Sequence, residues 1–83
     1  MPERILRFPE VKHLTGLSRS TIYLRMAERL FPKPFSLGPR MVGWRESEVA
    51  AVNAARVRGD GEEAIRTLVC KLEAARANAA SAA

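Results

Sequence analysis

The most constraining stretch of this 83-residue chain is Leu14 Thr15 Gly16 Leu17 Ser18, a Gly-containing turn between two segments that each read as a short helix. Upstream, Phe8 Pro9 Glu10 Val11 Lys12 His13 places Pro at a first helical position and Glu in the first turn, and Gly16 falls where a left-handed cap ends a helix. Val11 and Leu14, with Leu17 just beyond, supply an apolar face at i, i+3 spacing. Downstream, the Ser18 hydroxyl is positioned to accept from the free amides of a helix predicted over residues 19–29. Helix, tight turn and capped helix together spell a helix-turn-helix.

The second helix has a legible outward face. With Ile22 as the buried reference, a step of about 100° per residue brings Met26 to about 40°, on the same side. Ser20, Leu24 and Ala27 fall near 160°, 200° and 140°, facing away from the core, with Thr21 and Tyr23 on the flanks. No carboxylate enters this face before Glu28, so it can approach phosphates without repulsion.

Phe31 Pro32 Lys33 Pro34 must then end the helix, because neither proline can continue it. Phe35 Ser36 Leu37 and Met41 Val42 Gly43 Trp44 are short β-like runs around Gly38 Pro39 Arg40, which predicts a two-stranded wing with Arg40 at its tip. Glu46 Ser47 Glu48 opens a further helix with Val49 and Val52 on one face, and Gly59 Asp60 Gly61 breaks it. Asp60 and Glu63 then read as a capping box for a last helix.

In that helix Ile65, Leu68, Leu72, Ala75 and Ala79 follow 3-4 spacing, with Val69 alongside. Such a stripe has three possible fates: folding back on its own domain, meeting a second copy, or staying in solvent. The remaining stretch, 77–83, is helix-permissive with little to bury and is expected to fray. The expected fold is mainly α: a winged helix-turn-helix over residues 1–58, a linker at 59–61 and a C-terminal helix with its tail over 62–83. Its expected core is Val11, Leu14, Leu17, Ile22, Met26, Phe31, Phe35, Val42, Trp44, Val49 and Val52.

Composition limits the function classes. The net charge of +5 is unevenly spread: residues 1–45 hold nine basic and three acidic side chains, and 46–83 hold five and six. An anionic partner met by the first half is implied. Cys70 has no partner for a disulfide and His13 no neighbour at metal-ligand spacing, so no metal or cofactor is expected. The charged N-terminus lacks the apolar core of a signal peptide and no run reaches a membrane span, which points to the cytoplasm. Ser18, Ser20 and Thr21 have no histidine and acid arranged to activate them, so capping and phosphate contact are their expected roles rather than catalysis.

The string Leu14 Thr15 Gly16 Leu17 Ser18 Arg19 Ser20 Thr21 Ile22 Tyr23, followed by Phe31 Pro32 Lys33 Pro34 Phe35, Leu37 Gly38 and Val42 Gly43 Trp44 Arg45 Glu46 Ser47 Glu48 Val49, closely resembles the AlpA-type regulators. These are small winged-helix proteins of phages and integrative elements, similar to excisionase and MerR DNA-binding domains. The resemblance spans roughly residues 4–57. Arg29 Leu30 stand where the family usually has a Gly-containing turn, and the last helix extends beyond the common core.

The resemblance implies a double-stranded DNA partner and a role as excisionase or transcription regulator, beside an integrase or RNA polymerase. The candidate DNA-binding residues are Ser18, Arg19, Ser20, Thr21, Tyr23, Leu24 and Arg25 on the second helix, with Lys33 and Arg40 on the wing. Ile65, Leu68, Val69 and Leu72 are the candidate self-association residues, and the likeness to excisionases favours copies packed head to tail along DNA. The competing reading is a protein-interaction module that works through the C-terminal helix.

Overall fold

The computed structural model describes the backbone of residues 3–82 and the side chains of 3–77. In chain order the elements are β1 (Ile5–Leu6), α1 (Phe8–Thr15), α2 (Arg19–Ala27), β2 (Phe35–Gly38), β3 (Met41–Arg45), α3 (Glu46–Arg58) and α4 (Glu62–Ala82). Helix-turn-helix and hairpin form as the sequence predicts. β1 is an addition: it makes a three-stranded antiparallel sheet of order β1-β3-β2. Ile5 opposes Arg45 and Leu6 opposes Trp44, while Phe35 and Ser36 oppose Gly43 and Val42, with an irregularity before the Gly38–Met41 pair. Gly43 is the seam. A Cβ there would lie 2.8 Å from Ile5 Cγ2 and 3.0 Å from the Leu6 carbonyl oxygen, so β1 approaches β3 this closely only because residue 43 has no side chain.

Local chemistry explains the helix ends. Glu10 reaches back to accept from the Arg7 amide at 3.1 Å, and Ser18 accepts from the Thr21 amide at 3.3 Å. The start of α3 borrows its cap from the far end of the chain. Glu3 Oε1 accepts from the Ser47 amide at 2.9 Å and from the Ser47 hydroxyl, and Glu3 Oε2 accepts from Arg45 Nε at 2.8 Å. Burial pushes the Glu3 carboxyl up, but the bonds from Ser47 and Arg45 outweigh it and hold the group below its ordinary value. The box expected at the start of α4 does not form. The Asp60 carboxylate takes Arg58, Glu63 takes Arg66, and the Ile65 amide bonds to the Gly61 carbonyl.

The core gathers Leu6, Val11, Ile22, Met26, Phe31 and Trp44 against Val49, Val52 and Ala55 of α3. Trp44 is its centre: the indole donates to the Pro32 carbonyl at 2.9 Å, with Phe8 and Phe31 edge-on at 5.7 and 6.3 Å. Leu14 and Val42, expected in the core, are exposed to 47% and 42%. The two-turn α1 presents a single residue, Val11, fully inward, and Val42 lies in the outer half of the hairpin beside Ser36. Phe35 is only half-buried, and Leu17 packs half-buried at the margin. Leu30, by contrast, is buried just after α2.

α4 folds back on α3. Ile65 is fully buried and Val69 3% exposed in the common core, while Leu68 and Leu72 pack half-buried against it. Of the three fates open to the stripe the chain adopts the first, and Ile65 and Val69 are consequently unavailable as a self-association surface. Helical backbone continues to Ala82; the expected fraying and the Ala79 position of the stripe concern side chains outside the described residues.

The α3–α4 interface also contains Glu48, which is 0% exposed. Arg76 of α4 meets it as a fork, Nε to Oε2 and Nη2 to Oε1, both at 2.8 Å. Arg76 Nη2 also donates to the Lys33 carbonyl at 2.5 Å, and Glu73 accepts the Lys33 amide at 2.9 Å. α4 therefore grips the segment that leads from α2 into the hairpin by both ends of one residue.

Candidate nucleic-acid interface

Ser18 does more than cap α2. Its hydroxyl lies 2.8 Å from the Thr21 hydroxyl and 3.3 Å from that of Ser20, so three hydroxyls cluster where the first amides of the helix point outward. A helix N-terminus dressed with hydroxyls matches a phosphate oxygen in both dipole and hydrogen-bond geometry.

Beside this cluster stands Arg19. Its guanidinium carbon lies 4.8 Å above the Phe8 ring and 5.9 Å from that of Tyr23, and the two rings stack at 5.6 Å. Phe8 thus serves two ends, edge-on to Trp44 inside and under a cation outside. Rings that confine a guanidinium reduce the freedom it must lose on meeting an anion. Sequence reasoning missed this role; the one available signal was an aromatic at the first position of α1.

Tyr23 and Leu24 complete the outward face at 51% and 58% exposed. An exposed leucine on this face is suited to a thymine methyl.

The remaining candidates are dispersed. Arg25 turns toward a shallow groove floored by Leu17, Leu30 and Val52, with Arg56 as its neighbour. Arg56 is held below its ordinary value by burial first and the Arg25 charge second. Lys33 keeps its side chain exposed while its backbone is clasped by α4, and Arg40 is exposed at the tip of the hairpin. The structure therefore unites Ser18, Arg19, Ser20, Thr21, Tyr23 and Leu24 at the start and outer side of α2, sets Arg25 on the flank, and puts Lys33 on the strap before β2 and Arg40 at the wing tip. Among the described residues no group of His, Cys, Asp and Glu is arranged to hold a metal, and no helix is long and apolar enough to cross a membrane.

Comparison with known proteins gives concordant results. The family model described as prophage CP4-57 regulatory protein (AlpA) matches residues 4–53, which run from β1 into α3 and leave α4 outside. An uncharacterized protein, ORF88, of Enterobacteria phage P4 is 54% identical over 57 residues, covering 69% of this chain and 65% of that protein. The DNA-binding transcriptional activator AlpA of Escherichia coli (strain K12) is 42% identical over 52 residues, covering 55% of this chain and 74% of the activator. The chain thus spans just under two thirds of the phage P4 relative. No solved structure matches.

Proposed function

This chain belongs to the AlpA family of prophage regulatory proteins, and from that premise we propose that it binds double-stranded DNA sequence-specifically, as a mobile-element regulator rather than an enzyme. The observation that carries the reading is the face of α2, where the Ser18, Ser20 and Thr21 hydroxyls adjoin an Arg19 held over two rings. The hydroxyls and amides take phosphate oxygens and fix the register of the helix in the major groove. Arg19 then reads a guanine edge or grips phosphate, Leu24 meets a thymine methyl, and Tyr23 packs beside them. Lys33 and Arg40 carry the wing to the flanking backbone or minor groove.

On this reading the protein acts as an excisionase, as a transcription regulator, or as both. One recognition helix and one small wing cover few base pairs, so copies cooperate along DNA through surfaces other than the buried Ile65 and Val69. A salt titration of duplex binding tests the core of the reading. Neutralising about five phosphates gives a log-log slope near −4 to −5, and a salt-independent affinity refutes it. Footprinting across the flanks of its own element separates the roles: direct repeats beside an attachment site mean excision, and a site at one promoter means regulation.

A further inference from the structure

We infer that Arg29 is a further contact to the phosphate backbone of the duplex, an assignment that rests on the DNA-binding reading above and adds a residue to it. The argument begins with backbone conformation. Among the described residues the non-glycine positions with positive φ are Arg29, at 62°, and Arg40, at 59°. This is the left-handed region, where a side chain is strained and Gly or Asn is the ordinary occupant.

Elsewhere the chain follows that rule. α1 and α3 end on Gly16 and Gly59, with φ of 70° and 83°. The end of α3 has the Gly59 amide on the Arg56 carbonyl and the Asp60 amide on the Ala55 carbonyl, both at 3.0 Å. The end of α2 repeats this double bond: the Arg29 amide meets the Met26 carbonyl at 3.1 Å and the Leu30 amide meets the Arg25 carbonyl at 2.8 Å. The same stop is thus built twice, once with the residue that suits it and once with an arginine.

Nothing among the described residues repays that choice. The Arg29 side chain is exposed, and among the described residues its guanidinium makes no ion pair, hydrogen bond or ring contact. It borders a shallow pocket beside Lys33 and Arg66, over Met26, Phe31 and Val69. Arg66 is already committed, to the Glu28 carbonyl at 3.0 Å and to Glu63 at 2.9 Å, so of the three cations of this pocket Arg29 and the exposed Lys33 are the unengaged ones. Leu30, buried just after it, pins the backbone so that Arg29 is directed to solvent.

Arg40 repeats the pattern independently. It follows Pro39 in the turn of the wing, at the second central position, where a left-handed conformation again calls for Gly or Asn. What the two sites share is a guanidinium on a strained backbone, one just beyond the recognition helix and one at the wing tip. Strain retained without an internal partner marks a function outside the chain. A planar cation with a fixed fork of donors is the group suited to phosphate oxygens.

The test compares the parent with Arg29→Gly and Arg29→Lys, measuring thermal melting and binding to a mixed-sequence duplex over a range of salt. Arg29→Gly is expected to melt about 4–8 °C higher as the strain is relieved. It is expected to bind about 5- to 10-fold more weakly, with a salt slope shallower by about 0.9, while Arg29→Lys retains the parent slope. If Arg29→Gly binds with the affinity and slope of the parent, or gains no thermal stability, the inference is overturned while the DNA-binding reading stands. If the parent itself shows no salt-linked duplex binding, both fall together.

Discussion

Replacing Arg76 by Met tests whether α4 is an integral part of the domain. The substitution keeps most of the length and removes the charge, stranding a Glu48 carboxylate whose side chain is 1% exposed. Losing one partner of a buried pair costs about 3–5 kcal/mol, because the other charge remains desolvated. Arg76 is itself 22% exposed, so water can reach the outer side of the pair and the expected loss falls to about 2–4 kcal/mol. The donation to the Lys33 carbonyl and the guanidinium above the Phe35 ring, 5.5 Å from its centroid, disappear as well. Total stability for a chain this size is about 4–12 kcal/mol, so the variant sits close to unfolding. Urea titration followed by helical circular dichroism measures the loss. The double variant Glu48→Leu/Arg76→Met, which strands no charge, is expected to recover most of it, because a buried pair contributes little net stability over an apolar replacement. A loss below about 1 kcal/mol for Arg76→Met, or a double variant no better than the single, refutes the reasoning that a desolvated charge is at stake.

Removing residues 60–83 exposes the ground beneath Ile65 and Val69, each worth about 1.5–3 kcal/mol, and also orphans Glu48, so the remnant is expected to show no cooperative melt. Gly43→Ala forces β1 away from β3 and is expected to cost about 1–3 kcal/mol by denaturant titration. Glu3 is held below its ordinary value of 4.5, so its contribution is fully present above that pH and lost as pH falls through the folded value; Glu3→Gln should flatten the acid limb of the stability curve. Arg40→Ala is expected to weaken binding to all duplexes almost alike, whereas Arg19→Ala also relaxes preference at one base pair by about 1–3 kcal/mol, as competition binding with single-site variants would show.

The features legible in the sequence are those whose causes lie within a few residues. Ser18 caps α2 because its hydroxyl is three residues from the amide it serves, and the hairpin is announced by Gly38 and Pro39 in its own turn. β1 was not legible: two residues between Arg4 and Arg7 become a strand only when Trp44 and Arg45 arrive opposite them. The destination of α4 was open for a related reason, since an apolar stripe declares that it will be covered but not by what. Glu48 and Arg76, 28 positions apart, look like two surface charges. The one local hint was spacing, because Glu48 shares a helical face with Val52 and Ala55. The hydroxyl cluster at the start of α2 was legible as sequence neighbours, but the support of Arg19 was not, as the ring under it comes from another helix.

The clasp on Lys33 has a consequence for how the protein is made. Its amide and carbonyl are held by Glu73 and Arg76, 40 and 43 positions later in the chain. During synthesis the helix-turn-helix and the hairpin leave the ribosome first, joined by a strap that Trp44 holds at the Pro32 carbonyl while the Lys33 amide and carbonyl wait for their partners. Local contacts close early, and contacts of long sequence separation close last. The Lys33 end of the strap is therefore fixed only when the last helix has emerged and docked. A nascent chain stalled before residue 73 would carry both parts of the proposed binding surface without the clasp on the residue between them.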